Sequence, residues 1–110
     1  MKQQFVIQPS SRVEGNISVP GDKSVSHRAL MLGAVAEGTS HVTGFLPGED
    51  CLATMAAVRA MGIEVVQHDA TTIDVVGQGL HGLGAAGRAL DMGNSGTAMR
   101  LFMGLLAGQP

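Results

Sequence analysis

The chain begins with short stretches in which apolar and polar residues alternate, and it then changes to a helical spacing. The alternation predicts strands over residues 4–8 and 16–19, separated by the polar turn of residues 9–15. From about residue 24 to residue 37 the apolar positions recur every three or four residues, and Gly38 follows them. This spacing predicts a helix that ends at Gly38.

The middle of the chain predicts a strand, a second helix and a hairpin. Weak alternation indicates a strand over residues 39–45, and Asp50 is a plausible N-cap for the helix that follows. Gly62 fits the position just after that helix, where a left-handed backbone is common. Residues 63–67 and 72–76 are rich in β-branched side chains and predict a hairpin.

The last part of the chain predicts a glycine-rich loop over residues 77–87 and an apolar helix over about residues 95–107. The predicted order is therefore ββαβαββ, a loop and a helix, which indicates an α/β fold. The last helix is apolar on almost every side, as expected for a helix that is buried all round. Because little sequence here could cover it, we expect the chain to be a portion of a larger molecule.

The composition favours a globular protein and argues against several kinds of partner. Hydrophobic residues make up 45% of the 110 residues, which is enough for a packed core. The chain lacks Trp and Tyr for base stacking, and its seven Lys and Arg residues form no basic stripe, so we expect no nucleic-acid partner. With neither a secretory signal nor a membrane-length apolar run in the sequence, we expect a cytoplasmic protein with no membrane partner.

The first chemical motif is PGDKSVSHR, residues 20–28. If Ser24 caps the helix, the free amides of the first turn and the helix dipole face the neighbourhood of Lys23. Arg28 lies one turn beyond Ser24 and on the same side. An ammonium, a hydroxyl, a guanidinium and free amides together suit a phosphate or carboxylate ligand, although a capped surface helix would show the same pattern. A nucleotide P-loop is excluded, because Asp22 stands where that motif requires glycine.

The second chemical motif is DMGNSGTAMR, residues 91–100. Asn94 can cap the following helix, and Gly96 leaves the first-turn amides open to a ligand. Thr97 and Arg100 lie on one side of that helix. A capped core helix explains the segment equally well. Glycine in a first turn, however, costs about 1 kcal/mol relative to alanine, so it calls for a reason.

Three residues near these motifs have simpler interpretations. His27 lies inside the first motif and is interpreted as a surface or structural histidine. Asp50 fits a helix cap, although it could also face the site. Cys51, the single cysteine, is interpreted as a small buried residue rather than a reactive thiol. The cysteine and the four histidines show no metal-ligand spacing along the sequence, so no metal site is predicted from local motifs.

Together the two motifs resemble the 5-enolpyruvylshikimate-3-phosphate (EPSP) synthase family. PGDKSVSHRAL is similar to that family's N-terminal signature and GNSGTAMRLFMGLLAG to its second glycine motif, in the same order and at a fitting separation. The resemblance covers essentially the whole chain. Many members have Ala and Pro where this chain has Ser95 and Leu101, which indicates a different subgroup.

The resemblance implies a fold of two domains, each built from βαβαββ units, that together form an inside-out α/β barrel. Residues 1–20 would be strands of the first domain. Residues 21–110 would be the first βαβαββ unit of the second domain with its following helix, incomplete. The family's carboxylate base and further cations lie beyond residue 110. The missing C-terminal portion of the enzyme is therefore an expected partner, and the chain is expected to be inactive alone.

The resemblance also implies a reaction, in the shikimate pathway to chorismate and the aromatic amino acids. The enolpyruvyl group of phosphoenolpyruvate moves to the 5-hydroxyl of shikimate 3-phosphate, and phosphate is released without a metal or an organic cofactor. Lys23 would be catalytic and contact both substrates. The other implied contacts to shikimate 3-phosphate are Ser24, Arg28 and Thr97, and those to phosphoenolpyruvate are Asn94 and Gly96, against which the inhibitor glyphosate would also lie.

Two alternatives remain open at this point. The related transferase that acts on UDP-N-acetylglucosamine shares the fold, but it typically has Lys-Asn in place of Lys23-Ser24 and lacks the pair His27-Arg28. A stand-alone anion-binding module without chemistry would suit the short chain, but the apolar last helix argues against it.

Overall fold

A computed structural model describes residues 2–110. Its first helix, α1 (Lys23–Val35), begins at Asp22, whose Oδ1 accepts a hydrogen bond from the backbone N–H of Val25 at 2.8 Å. The expected cap at Ser24 is therefore wrong by two residues. An aspartate at the N-cap both satisfies a free amide and complements the positive end of the helix dipole.

The second helix, α2, spans Glu49–Ala60. Its N-cap position is Gly48 and not Asp50, which the sequence suggested, and no side chain caps it. Asp50 lies inside the first turn, where its carboxylate is still favoured by the helix dipole. At the other end the prediction for Gly62 is confirmed, because its φ of 93° is the left-handed conformation that ends many helices.

Three antiparallel strands form one sheet in the order β1-β3-β2. They are β1 (Glu37–Thr43), β2 (Glu64–Asp69) and β3 (Thr72–Gln78), so the predicted hairpin of β2 and β3 is confirmed. The central strand β3 is the most buried, with Ile73 and Val75 both at 0% exposure. Helices α1 and α2 pack against the sheet, and these strand positions fill the core between the two layers.

The last helix, α3 (Gly96–Ala107), follows a long loop and contacts α1. It is not buried all round within residues 2–110: Ala98 and Phe102 are buried, but Met99 and Met103 are 52% and 67% exposed. The other apolar side chains of α3 are only partly covered. This helix therefore presents an apolar face to its surroundings.

Residues 4–8 and 16–19 do not form the predicted strands. Phe5, Ile7 and Ile17 are 91%, 86% and 88% exposed, and within residues 2–22 the backbone is irregular before α1. Alternation describes a segment that suits a strand, but a strand also needs a neighbour for its backbone hydrogen bonds. No strand of the described chain pairs with these segments.

The observed order from residue 23 onward is αβαββα, a mixed α/β arrangement as predicted. Within residues 2–110 the βαβαββ unit lacks its first strand, the one expected before α1. No helix among the described residues has both the length and the hydrophobicity of a membrane span.

Candidate functional site

The two predicted motifs lie at the N-termini of α1 and α3, and one buried histidine connects them. His27, in the second turn of α1, is 0% exposed. Its Nδ1 lies 2.7 Å from Oγ1 of Thr54 on α2, and its Nε2 lies 3.3 Å from Oγ of Ser95, the N-cap of α3. The interpretation of His27 as a structural histidine is confirmed, and its contacts bring the two helix N-termini together.

The backbone before α1 is held close to the loop after β1. Ser26 Oγ donates to the carbonyl of Asp22 at 2.7 Å and accepts from the backbone N–H of Leu46 at 3.0 Å. A Cβ placed on Gly21 would lie 1.9 Å from the carbonyl oxygen of Gly44. Glycine is therefore required here by a close approach of two backbone segments, and this approach fixes where α1 begins.

Lys23 extends from the first turn of α1 toward α2. Its Nζ donates to Oδ2 of Asp50 at 3.0 Å, and the two side chains are 55% and 20% exposed. Asp50 thus contacts the lysine of the first motif. Such a part-exposed ion pair is worth at most about 1 kcal/mol, so an anionic ligand could draw the ammonium away from it.

The loop before α3 lies against the same carboxylate. A Cβ placed on Gly93 would be 3.7 Å from Oδ1 of Asp50, whose other oxygen holds Lys23. Gly93 has a φ of 58°, and its N–H donates to Oδ1 of Asp91 at 2.8 Å. Asp50 therefore lies between the ammonium of Lys23 and the turn that leads into the second motif. One of its carboxylate oxygens pairs with the ammonium and the other borders the turn.

The N-terminus of α3 is capped by Ser95, whose Oγ accepts from the backbone N–H of Ala98 at 3.0 Å. The expected cap at Asn94 is wrong, and the Asn94 side chain is instead exposed. Ser95 occupies the N-cap position because α3 begins at Gly96, one residue later than a cap at Asn94 would require. Asn94 is left free to contact a ligand.

Gly96 and Thr97 form the first turn of α3, exposed and half-buried respectively. A Cβ on Gly96 would lie 2.9 Å from Nη1 of Arg100, and beyond the adjacent residues and the helix's own backbone only this guanidinium lies within 4 Å of it. The space above Gly96 is therefore open apart from the Arg100 side chain. Open amides beside a cation suit an anionic ligand.

Arg28 is exposed one turn after Ser24, which is half-buried. It also lines a surface cavity of about 280 Å³ between α1 and α3, whose walls include Leu32 and Leu101. The structure thus places the guanidinium at the groove between the two helices that carry the motifs.

Burial sets the protonation of the two titratable groups beneath the site. It lowers the pKa of His27, because an imidazolium loses hydration there. It also raises the pKa of the Cys51 thiol, an effect that the neighbouring Asp50 carboxylate reinforces. The Cys51 Sγ lies 3.6 Å from the carbonyl of Lys23. The thiol is therefore a buried, unreactive group, as interpreted, and His27 is neutral at neutral pH.

Comparison with known proteins decides which family these motifs represent. A model of the EPSP synthase family (3-phosphoshikimate 1-carboxyvinyltransferase) matches residues 7–110. The chain belongs to the EPSP synthase family. The resemblance seen in the two motifs is thereby confirmed over nearly the whole chain.

Individual relatives agree with this assignment. The 3-phosphoshikimate 1-carboxyvinyltransferase of Citrifermentans bemidjiense is 55% identical over 107 residues, which are 97% of this chain and 25% of the relative. The enzyme of the same name from Methylococcus capsulatus is 57% identical over 105 residues, covering 96% of this chain and 24% of that protein. The chain thus spans about a quarter of the relatives it matches. Both relatives carry the name of the shikimate enzyme and neither carries that of the UDP-N-acetylglucosamine enzyme.

A solved structure confirms the fold. An EPSP synthase from Acinetobacter baumannii superposes with a TM-score of 0.81 at 57% identity, covering 86% of this chain and 22% of that one. The mixed α/β arrangement described above is therefore part of the enolpyruvyl-transferase fold.

Two residues at the site were missed as contributors by sequence reasoning. Asp22 caps α1, and Thr54 fixes the buried histidine from α2. The signal for Asp22 was present, since aspartate before a helix is a common cap. The sequence carried no signal for Thr54, because its partner His27 lies 27 residues away and no local pattern indicates the contact.

Proposed function

We propose that this chain supplies part of the active site of an EPSP synthase, the enzyme that joins phosphoenolpyruvate to shikimate 3-phosphate. The enolpyruvyl group would move to the 5-hydroxyl of shikimate 3-phosphate, giving EPSP and phosphate. Family membership supports the reaction. The observation that carries the proposal for this chain is the meeting of two helix N-termini at His27.

Shikimate 3-phosphate is proposed to bind on the α1 side. Ser24 and Arg28 lie one turn apart there, and Thr97 is in the first turn of α3. A guanidinium suits a phosphate or carboxylate because it donates two parallel hydrogen bonds. The helix dipole of α1 adds attraction for an anion at the same end.

Phosphoenolpyruvate is proposed to bind at the α3 side, near Asn94 and Gly96. The exposed amide of Asn94 can donate to an anionic oxygen, and the open space above Gly96 lets the ligand approach the backbone amides. The neighbouring Arg100 guanidinium adds positive charge to this end of α3.

Lys23 is proposed to serve both substrates. Its ammonium pairs with Asp50, whose other carboxylate oxygen borders the turn before α3, so the cation lies near both motifs. A cation between two phosphorylated ligands reduces their mutual repulsion. Asp50 would hold the ammonium in place when no substrate is bound.

Calorimetric titration of shikimate 3-phosphate into the full-length protein tests this arrangement. We expect Arg28→Ala to weaken binding by about 10- to 100-fold, the loss that corresponds to one charged hydrogen-bonding group. Arg88→Ala is the matched control, because Arg88 is exposed in the segment between β3 and α3 and belongs to neither motif. Equal affinities of Arg28→Ala and the unmodified protein would contradict the proposed contact.

The same protein distinguishes an enzyme from an anion-binding module. When phosphoenolpyruvate is added with shikimate 3-phosphate, an EPSP synthase releases inorganic phosphate. Tight binding of shikimate 3-phosphate without phosphate release would instead support the non-catalytic alternative.

A further inference from the structure

The sheet has a second face, opposite the helices, that carries an unusual group of side chains. Ile73 and Val75 point into the core, so Asp74 between them points the other way. In the register of the sheet, His41 of β1 lies directly opposite Asp74. His68 of β2 lies where the register shifts between residues 67 and 69. One imidazole from each outer strand therefore flanks the central carboxylate.

The three side chains already contact one another. His41 Nδ1 lies 2.5 Å from Oδ1 of Asp74, and His68 Nε2 lies 2.9 Å from Oδ2 of the same carboxylate. One nitrogen from each ring and one carboxylate oxygen all lie within 4.8 Å of one another. All three side chains are accessible, with exposed fractions of 62%, 46% and 26% for His41, His68 and Asp74.

Two imidazoles and a carboxylate form a ligand set for transition metals. Zn²⁺ binds such groups at about 2.0–2.2 Å, which places the ligand atoms of a tetrahedral site roughly 3.3 Å apart. Small side-chain rotations bring the three atoms to that spacing, because their Cα positions are already fixed by strand pairing.

We propose that His41, His68 and Asp74 bind one divalent transition-metal ion, with Zn²⁺ the best match, on the helix-free face of the sheet. Imidazole ligands favour Zn²⁺ and related ions over Mg²⁺ and Ca²⁺, which prefer oxygen. Water would complete the coordination. On metal binding each imidazole takes the tautomer whose proton is on the ring nitrogen away from the metal, so the N–H that now donates to Asp74 is given up to solvent while the other ring nitrogen carries the proton.

This site is separate from the candidate anion site. The sheet itself lies between the metal ligands and the helices α1 and α2, to which Lys23 and Asp50 belong. The proposal therefore does not depend on the proposed reaction. A bound ion would cross-link all three strands and so stabilise the folded sheet, since it binds only where the strands are paired.

Titration with Zn²⁺ tests the proposal directly. The full-length protein, purified without a histidine tag and stripped of metal, would be titrated with zinc chloride at pH 7.5 in a calorimeter. We expect saturable binding of one ion per chain and none of comparable affinity with Mg²⁺. Co²⁺ in place of Zn²⁺ should give the visible absorption bands of a four-coordinate ion.

Variants assign the binding to these residues. His41→Ala and Asp74→Asn should each weaken Zn²⁺ binding at least tenfold. The control His81→Ala removes an exposed histidine from the loop after β3 and should leave Zn²⁺ binding unchanged. The side chains concerned are on the surface, and circular dichroism would confirm that each variant is folded. Absence of saturable binding in the unmodified protein would overturn the proposal. So would unchanged binding in a His41→Ala/His68→Ala double variant, and the three side chains would then be a hydrogen-bonded cluster only.

Discussion

His27 is the residue on which the geometry of the candidate site depends most. It has no exposed surface, and its two ring nitrogens contact Thr54 and Ser95. A neutral imidazole can donate through one nitrogen and accept through the other, which suits two hydroxyl partners. Protonation would make both nitrogens donors and would place a charge in a desolvated position. The folded state therefore favours neutral His27.

This preference predicts a pH dependence of stability. Because burial lowers the pKa of His27 in the folded protein, the unfolded chain binds a proton that the folded chain rejects. The free energy of unfolding should therefore fall as pH decreases below about 6.5, the value for an unfolded histidine, by at most about 1.4 kcal/mol per pH unit from this group. Above that pH the contribution is constant.

Urea unfolding at pH 5.5, 6.5 and 7.5 would measure the effect. His27→Gln keeps a polar side chain without a titrating ring, so its stability should decline less steeply with falling pH than that of the unmodified protein. His81→Gln, which alters an exposed histidine, should retain the full slope. Identical slopes for His27→Gln and the unmodified protein would show that His27 does not titrate as described.

At the scale of the elements, the helix caps decide where the candidate ligand groups lie. Ser95 rather than Asn94 closes the N-terminus of α3, and it does so while contacting His27. A single hydroxyl thus satisfies a helix amide and joins α3 to α1. The position of the second motif relative to the first depends on that hydroxyl.

Replacement of Ser95 by alanine should therefore cost more than replacement of Asn94. Ser95→Ala loses the cap, worth about 1 kcal/mol, and also leaves His27 with one buried nitrogen unpaired, which adds about 1–3 kcal/mol. Asn94→Ala should change the free energy of unfolding by less than about 0.5 kcal/mol, because its side chain is exposed. Both values come from urea denaturation at pH 7.5. A larger loss for Asn94→Ala would mean that the cap is Asn94 after all.

The elements that the sequence predicted correctly share one property, which is that local signals define them. Helical spacing gave α1, α2 and α3 within a few residues, and β-branched runs gave the hairpin. The two N-terminal strands failed because alternation cannot say whether a partner strand is present. In the same way, spacing placed Lys23 and Arg28 on one helix, but the contact from Lys23 to Asp50 spans 27 residues and left no local trace.

At the scale of the whole molecule, α3 carries more apolar surface than the described chain covers. Exposed Met99 and Met103 border a cavity lined only by apolar side chains of α3 and the preceding loop. Contiguous apolar patches on proteins commonly mark surfaces that contact another segment or partner. This chain matches about a quarter of the length of its relatives, which therefore contain further sequence beyond the matched part. The activity is accordingly proposed for the full-length protein.

The most direct test of the account is the rate of phosphate release by the full-length protein from phosphoenolpyruvate and shikimate 3-phosphate. With Lys23→Ala we predict a loss of turnover of at least about 100-fold, because the variant loses the cation that we propose contacts both anions in the transition state. Lys2→Ala, which removes an exposed lysine outside both motifs, should leave the rate unchanged. Near-normal turnover of Lys23→Ala would contradict the central claim that the paired helix N-termini around Lys23 form the substrate site.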